Sequence, residues 1–328
     1  MCEILDHQIS TEGNIVNLWT TKYIRFNVDE KKMKYEKYWI QKVKAELYEK
    51  FKQIKHNDAM ILRGTYKSKE TPKGIFPDIE NILFYNIGGF GTLCRRGLIF
   101  EGLPQWMVKT VSLPEPPCPL ISESLNYYRY EMVSVDDQEP RLWDKGDTLA
   151  SWVKIPFESS FFTESSTRKA CIIWSALRSH ANSINVNDNY KLPIERGVKF
   201  GIRLKLHLPI SNTLNIDKAK SLIDGTVVAF QGCNNGNGID YVVERIYNIS
   251  EVLKGNLTPG DIKKYLTFEK YRKLEVLWSG KIMEGKATRP RWAPDDDFCV
   301  FGSVVLDNTP SSDYMFSGCL FEIKERRP

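Results

Sequence analysis

Apolar residues recur at helical spacing through the lysine-rich stretch 31–55: Trp39, Val43, Leu47, Phe51 and Ile54, with lysines and glutamates between them. That stripe predicts an amphipathic helix. AMILRGTYK then reads as a loosely alternating strand, and a turn with Pro72 and Gly74 leads into FPDIENILFYNI, a short helix ended by GGFG. The second half of the chain runs through the same kinds of pattern. Trp174, Leu177, Ala181 and Ile184 form a helical stripe. In VKFGIRLKLHLPI, Val198, Phe200, Ile202, Leu204 and Leu206 alternate with Lys199, Arg203, Lys205 and His207, the period of a strand with one buried and one basic face. The turn SNT then leads to LNIDKAKSLIDGTVVAFQ, a helix.

Helix, strand, turn, acid-x-acid step and second helix thus occur twice, and the spacing from Trp39 to Glu80 nearly matches that from Trp174 to Asp217. The expectation is an α+β chain with two copies of one unit. The first unit would span 1–101 and the second 166–250. Residues 102–165, rich in proline, serine and aromatics, read as an irregular connection or insertion. A helix start at TPGD and the strands FCVFGSVVL and GCLFEIKE make 251–328 a mixed extension packing on the second unit.

With 328 residues, 42% of them hydrophobic, the chain can fill a sizeable core. A net charge of +5 is compatible with a polyanionic partner but far from the strong basicity of a dedicated nucleic-acid binder. MCEILDHQIS has no secretory pattern, and no apolar run is long enough to span a membrane. Seven widely spaced cysteines with no CxxC pair point to reduced thiols in a cytoplasmic protein rather than to zinc or a disulfide framework.

The repeated acid-x-acid step carries the candidate chemistry. Asp78-Ile79-Glu80-Asn81 and Asn215-Ile216-Asp217 each sit between a strand and a helix. Oxygens at i and i+2 of an extended step project to one side and suit a hard cation such as Mg²⁺. An acid at that position can instead cap the helix.

The second copy, VKFGIRLKLHLPISNTLNIDKAKSLIDG with GIDYVVERIY, resembles the RusA-type Holliday junction resolvases. The features that carry it are His207-Leu208-Pro209 before the acidic step, Asp224-Gly225 closing the helix, and Asp240 ahead of Val242-Val243. The resemblance covers about 168–247 and, more weakly, 35–101, where it rests on PDIEN and the order of elements. The resemblance implies three metal-binding aspartates, which fall on Asn215, Asp217 and Asp240, and a helix lysine matched by Lys220, one position off the family spacing. In the first copy the acids are Asp78 and Glu80, followed by Asn81, and Glu101 is the nearest substitute for the third. Asn215 lacks a charge that the site needs, and Lys218 stands where the family has asparagine.

Family members are homodimers, so two copies in one chain imply an internal pseudo-dimer. Arg203, Lys205, His207, Lys218 and Lys220 would then line a basic surface for DNA or another structured nucleic acid. The expected function is binding of branched or structured DNA, with Mg²⁺-dependent phosphodiester cleavage weakened or lost. Asp78, Glu80, Asp217 and Asp240 are the candidate catalytic and metal-binding residues. The alternative is a non-catalytic scaffold that works with other protein subunits of a larger assembly.

Lesser candidates are Pro294-Asp295 with Glu322-Ile323-Lys324, a spelling of the PD-(D/E)xK nuclease pattern, and Tyr127, Tyr128 and Tyr130 as base-stacking groups. Two further pairs could join a thiol to a base, Cys171 with His180 and His207 with Cys233.

Overall fold

The computed structural model describes residues 6–22, 24, 34–70, 78–84, 93–118, 120, 122–187, 193–210, 212–234, 236–250, 257–286, 289–294, 296–309 and 313–326. Pro72, Gly74, Pro77, the GGFG run, Cys2 and Asp295 lie outside them. The first half of the chain runs β1 (His7–Glu12), β2 (Ile15–Thr20), α1 (Lys34–Phe51), β3 (Met60–Ser68), α2 (Ile79–Phe84), β4 (Gly97–Pro104) and β5 (Asn126–Ser134). The second half opens with β6 (Trp143–Pro156), α3 (Ser166–Ser179), β7 (Ile184–Val186), β8 (Phe200–Pro209) and α4 (Ile216–Phe230). It continues through β9 (Gln231–Cys233), α5 (Ile239–Ser250), α6 (Pro259–Thr267), α7 (Glu269–Arg272), β10 (Leu277–Gly280), β11 (Met283–Lys286) and β12 (Arg289–Trp292), and closes with β13 (Cys299–Thr309) and β14 (Met315–Glu325).

Ten of these strands form one mixed sheet in the order β1-β2-β5-β3-β4-β13-β8-β14-β6-β7. The order mirrors itself about the antiparallel contact of β4 with β13. On either side of it stands a parallel neighbour, β3 beside β4 and β8 beside β13. Antiparallel strands follow outward on both flanks, β5, β2 and β1 on one and β14, β6 and β7 on the other. The chain reaches the three inner strands of each flank in matching order, β3, β4, β5 and β8, β13, β14, with α1 and α3 ahead of β3 and β8, and α2 and α4 after them; the outermost strand comes first on one flank (β1) and after its neighbour on the other (β7).

Two sequence boundaries change accordingly. Residues 102–165 are not an irregular insertion, because they hold β5 and β6, strands of 9 and 14 residues. β5 lies between β2 and β3 and is buried along most of its length, so NYYRYEMV shows no alternation to read. Tyr127, Tyr128 and Tyr130 are accordingly buried core side chains and cannot stack on bases. Residues 251–328 are no appendage either: β13 and β14 are interior strands of the sheet, and β13 joins the two halves. Val242 and Val243 lie in α5.

The main core lies on one face of the sheet. Phe200, Ile202, Leu204, Leu206 and Leu208 of β8 pack there with residues of α1 to α6. Two glycines set the close approaches that place α2 and α4. A Cβ at Gly102 of β4 would lie 2.5 Å from Ile79 Cδ1, so its absence lets α2 settle on the sheet. A Cβ at Gly225 of α4 would lie 2.5 Å from the Ala170 carbonyl oxygen of α3. The opposite face carries a smaller cluster that includes Ile61, Ile99, Phe301 and Phe321.

That second face also holds Arg63 and Glu101, both fully buried and 3.0 Å apart. Glu101 further accepts hydrogen bonds from the Arg141 and Leu142 backbone N–H groups. Glu101 therefore ties the 141–142 segment to the sheet, and it is no third metal ligand, because α2 lies on the other face. Among the described residues no helix is long and apolar enough to cross a membrane. Glu101→Ala takes from the buried Arg63 guanidinium its nearest carboxylate, leaving it Asp137 at 3.7 Å and the Asp137 and Glu139 carbonyls, and should cost about 3 kcal/mol in chemical denaturation. A loss below about 1 kcal/mol would contradict this role.

Candidate metal centre

Asp78 stands immediately before α2, and Glu80 is the second residue of that helix. Asn81 donates its side-chain amide to Asp78 Oδ2. Burial of Ile79, Ile82 and Leu83 turns the start of α2 towards α4, so that Glu80 is only 4% exposed. Across the gap, Lys220 of α4 brings its Nζ to 2.9 Å from Glu80, 3.3 Å from Asp224 and 3.7 Å from Asp78. Lys220 and Asp224 lie one turn apart on α4, the spacing at which helical side chains meet.

The turn ahead of β13 completes the cluster. The Cys299 N–H bonds the Asp296 carbonyl at 2.8 Å, closing a turn that points Asp296 inward at 3% exposure. Asp78, Asp296 and Asp297 form one group of carboxylates whose oxygens lie within 4.8 Å of one another. Glu80, Asp224 and Asp296 form a second, so Asp296 belongs to both.

Four carboxylates, Asp78, Glu80, Asp224 and Asp296, thus face one ammonium, with Asp297 beside Asp78 and Asp296. Burial pushes the Asp78, Glu80 and Asp224 carboxyls above their usual range, against the pull of Lys220. Asp296 is driven well above it by burial and by Asp78 and Glu80. Burial disfavours the Lys220 charge, but Asp224, Glu80, Asp296 and Asp78 together outweigh it and hold the ammonium well above its ordinary value. Glu80 Oε2, Asn81 Oδ1 and Asp296 Oδ2 are buried and accept no hydrogen bond. Oxygen ligands in excess of charge, some of them unpartnered, suit a hard divalent cation.

The structure assembles only part of the expected site. Asp78 and Glu80 are brought together, whereas Asp217 and Asp240 belong to neither carboxylate group. Asp217 is exposed in the first turn of α4. Asp240 is 83% exposed at the start of α5 and pairs with Lys263 at 2.9 Å. Asn215 is the N-cap of α4, accepting the Lys218 N–H at 2.9 Å, which is the capping alternative for this step.

Asn215 and Asp217 nonetheless hold the same places ahead of and within α4 that Asp78 and Glu80 hold in α2. The turns before β4 and β13 also correspond, since Gly97 N bonds the Cys94 carbonyl as Cys299 N bonds that of Asp296. By that match Cys94 takes the place of Asp296, Arg95 that of Asp297, and Leu83, four residues into α2, that of Lys220. Of the matched acids, the mirror-related position keeps only Asp217.

The expected basic surface is divided by the pleat. Arg203, Lys205 and His207 alternate with core-facing residues of β8 and lie on the sheet face away from α2 and α4. There Arg203 meets Glu139 at 2.5 Å, and Lys205 and His207 meet Asp307 at 2.9 and 3.3 Å. Lys218 lies on the helical side, its Nζ bonded to the Thr213 carbonyl and 4.9 Å from the Phe162 ring centre. Lys220 serves the carboxylates.

Asp224, Asp296 and Asp297 were not among the expected ligands. Their traces in the sequence are an acid one turn after Lys220 and an acidic run directly before the apolar strand FCVFGSVV. Glu322 and Lys324 are residues of β14, and their nuclease-pattern partner Asp295 lies outside the described residues. Cys171 and His180 line one cavity of about 410 Å³, but burial lifts the Cys171 thiol to about 12, which leaves it inert. Cys233 lies in β9, away from the partners of His207. Compared with protein-family models, curated proteins and solved structures, the chain gives no match.

The raised carboxyls give a pH signature. A carboxyl whose folded pKa lies above its unfolded value binds more protons in the folded state, so its contribution to stability falls as pH rises from the usual carboxylate range through the folded pKa. In metal-free buffer, Asp296→Asn should therefore gain stability relative to the parent chain as pH is raised from 5 to 8 in thermal melts. A difference that is constant or shrinks with pH would contradict the clustering.

Proposed function

We propose that the chain binds branched or structured DNA and hydrolyses a phosphodiester bond with Mg²⁺, as a RusA-like pseudo-dimer that retains a single composite active site. One observation carries the proposal. The acid-x-acid-Asn step of the first half meets a lysine of the second half, inside a buried carboxylate cluster at the junction of the two. The mirrored strand order supports two related units, and the sequence of 168–247 supports their RusA-like character.

Asp78, Asp296 and Asp297, with Glu80 beside them, would hold the metal ion. A bound Mg²⁺ would polarise the phosphate and lower the pKa of its water. Lys220 holds Glu80, Asp224 and Asp78 around one point and offsets part of their repulsion. The carboxylate cluster at one position favours this reading over a non-catalytic scaffold.

One site cuts one strand at a time, so the product expected from a four-way junction is a nick rather than a paired, symmetric cut. Purified protein incubated with junction, duplex and single-stranded DNA should nick the junction with Mg²⁺ and not with EDTA. Glu80→Gln and Asp296→Asn should each slow nicking roughly 10–100-fold or more while junction binding persists. Binding without any cutting would leave a DNA-binding module, and neither binding nor cutting would overturn the proposal.

A further inference from the structure

On the sheet face away from the carboxylate cluster, three neighbouring strands bring together a second set of reactive groups. His207 of β8, Asp307 of β13 and Ser317 of β14 are adjacent in the ladder, with His207 paired to Asp307 and Ser317 to Lys205. His207 Nε2 lies 2.9 Å from Ser317 Oγ, and His207 Nδ1 lies 3.3 Å from Asp307 Oδ2. The carboxylate thus faces one ring nitrogen and the hydroxyl the other, which is the order a serine nucleophile needs from its base and its orienting acid. Lys205 Nζ, 2.9 Å from Asp307, keeps that carboxylate ionised and in place. Burial holds the His207 imidazole below its usual range despite Asp307, so the ring is neutral and its Nε2 can take a proton.

The backbone opposite Ser317 is unusual in a related way. β6 bulges there, its pairing with β14 stepping from Ile155 to Trp152 as β14 runs from Phe316 to Gly318. Two residues, Val153 and Lys154, there stand opposite the single Ser317, and the Lys154 N–H donates to Ser317 Oγ at 2.9 Å. Lys154 has φ 52°, the one positive φ of a non-glycine side chain among the described residues. A side chain held in that region costs about 1–3 kcal/mol, and such strain gathers at functional sites. Val153 is 74% exposed, which places solvent-facing apolar surface beside a half-buried serine.

We propose that Ser317, His207 and Asp307 form a second active site, a serine nucleophile that cleaves carboxylic esters with an apolar acyl group. Ser317 Oγ attacks the carbonyl carbon and gives its proton to His207 Nε2. The bond from that carbon to the leaving oxygen then breaks, and His207 returns the proton to the departing alkoxide. Water attacks the acyl-serine by the same route, losing a proton to His207 and freeing the carboxylic acid as Ser317 recovers its own. Ser317 and His207 are the catalytic residues, and Asp307 is a positioning residue that fixes the imidazole.

The test uses the full chain, a fluorophosphonate probe and p-nitrophenyl butyrate. The expected result is one phosphonyl adduct per chain, mapped to Ser317, with ester turnover lost in parallel. Ser317→Ala should abolish both at an unchanged melting temperature. His207→Ala should slow labelling about 100-fold or more. Asp307→Asn should do nearly the same, while Asp307→Glu restores at least part of the rate, a rescue that a purely structural aspartate would not give. Absence of an adduct at Ser317, or labelling unchanged in His207→Ala, would overturn the proposal. Because Ser317 is remote from Asp78 and Glu80, neither result bears on the DNA site.

Discussion

Burying several carboxylates where the two halves of the chain meet is the constraint around which the site is organised. Each of these groups would be more comfortable in water, and their repulsion in a low-dielectric setting is large. Lys220 relieves it only in part, through contacts with Glu80, Asp224 and Asp78. The remaining excess negative charge is what a bound cation would offset. It also makes the fold and the site interdependent, because α2, α4 and the turn before β13 must all be in place for the charges to converge.

The mirrored sheet provides that convergence. Antiparallel pairing of β4 with β13 brings the loops before both strands and the helices after β3 and β8 to one face. A symmetric pair of units would build two such clusters. Here Cys94, Arg95 and Leu83 stand on one side where Asp296, Asp297 and Lys220 stand on the other, so the charge is concentrated at a single position. The result is a site whose members come from both halves, in contrast to one assembled within a single unit.

How much of this was legible in the sequence depended on whether the signal was local. The helices around Trp39 and Trp174 and the alternating strand 200–209 follow from periodicity, because each has one wet and one dry face. The acid-x-acid step at Asp78 and Glu80 was legible for the same reason, as a short motif at a strand-to-helix junction. β5 was hidden because a strand buried on both faces has no alternation, and its flanking prolines suggested a loop. Asp296 and Asp224 were missed because their partnership with Glu80 is made by sheet topology over long sequence separations. Asp240 stands where the resemblance puts the third aspartate, but α5 carries it to the solvent. The basic residues of β8 were placed beside the acids by sequence proximity to Lys218 and Lys220, whereas the pleat sends them to the opposite face.

The central claim, that the Asp78–Glu80–Asp224–Asp296–Asp297 cluster is a divalent-cation site shared by both halves of the chain, is tested most directly by calorimetric titration of the metal-free protein with Mg²⁺ and Mn²⁺. The account predicts saturable binding that is lost in Asp296→Asn and unaffected by Asp217→Asn or Asp240→Asn. Absence of binding in the parent chain, or binding that survives Asp296→Asn, would contradict it.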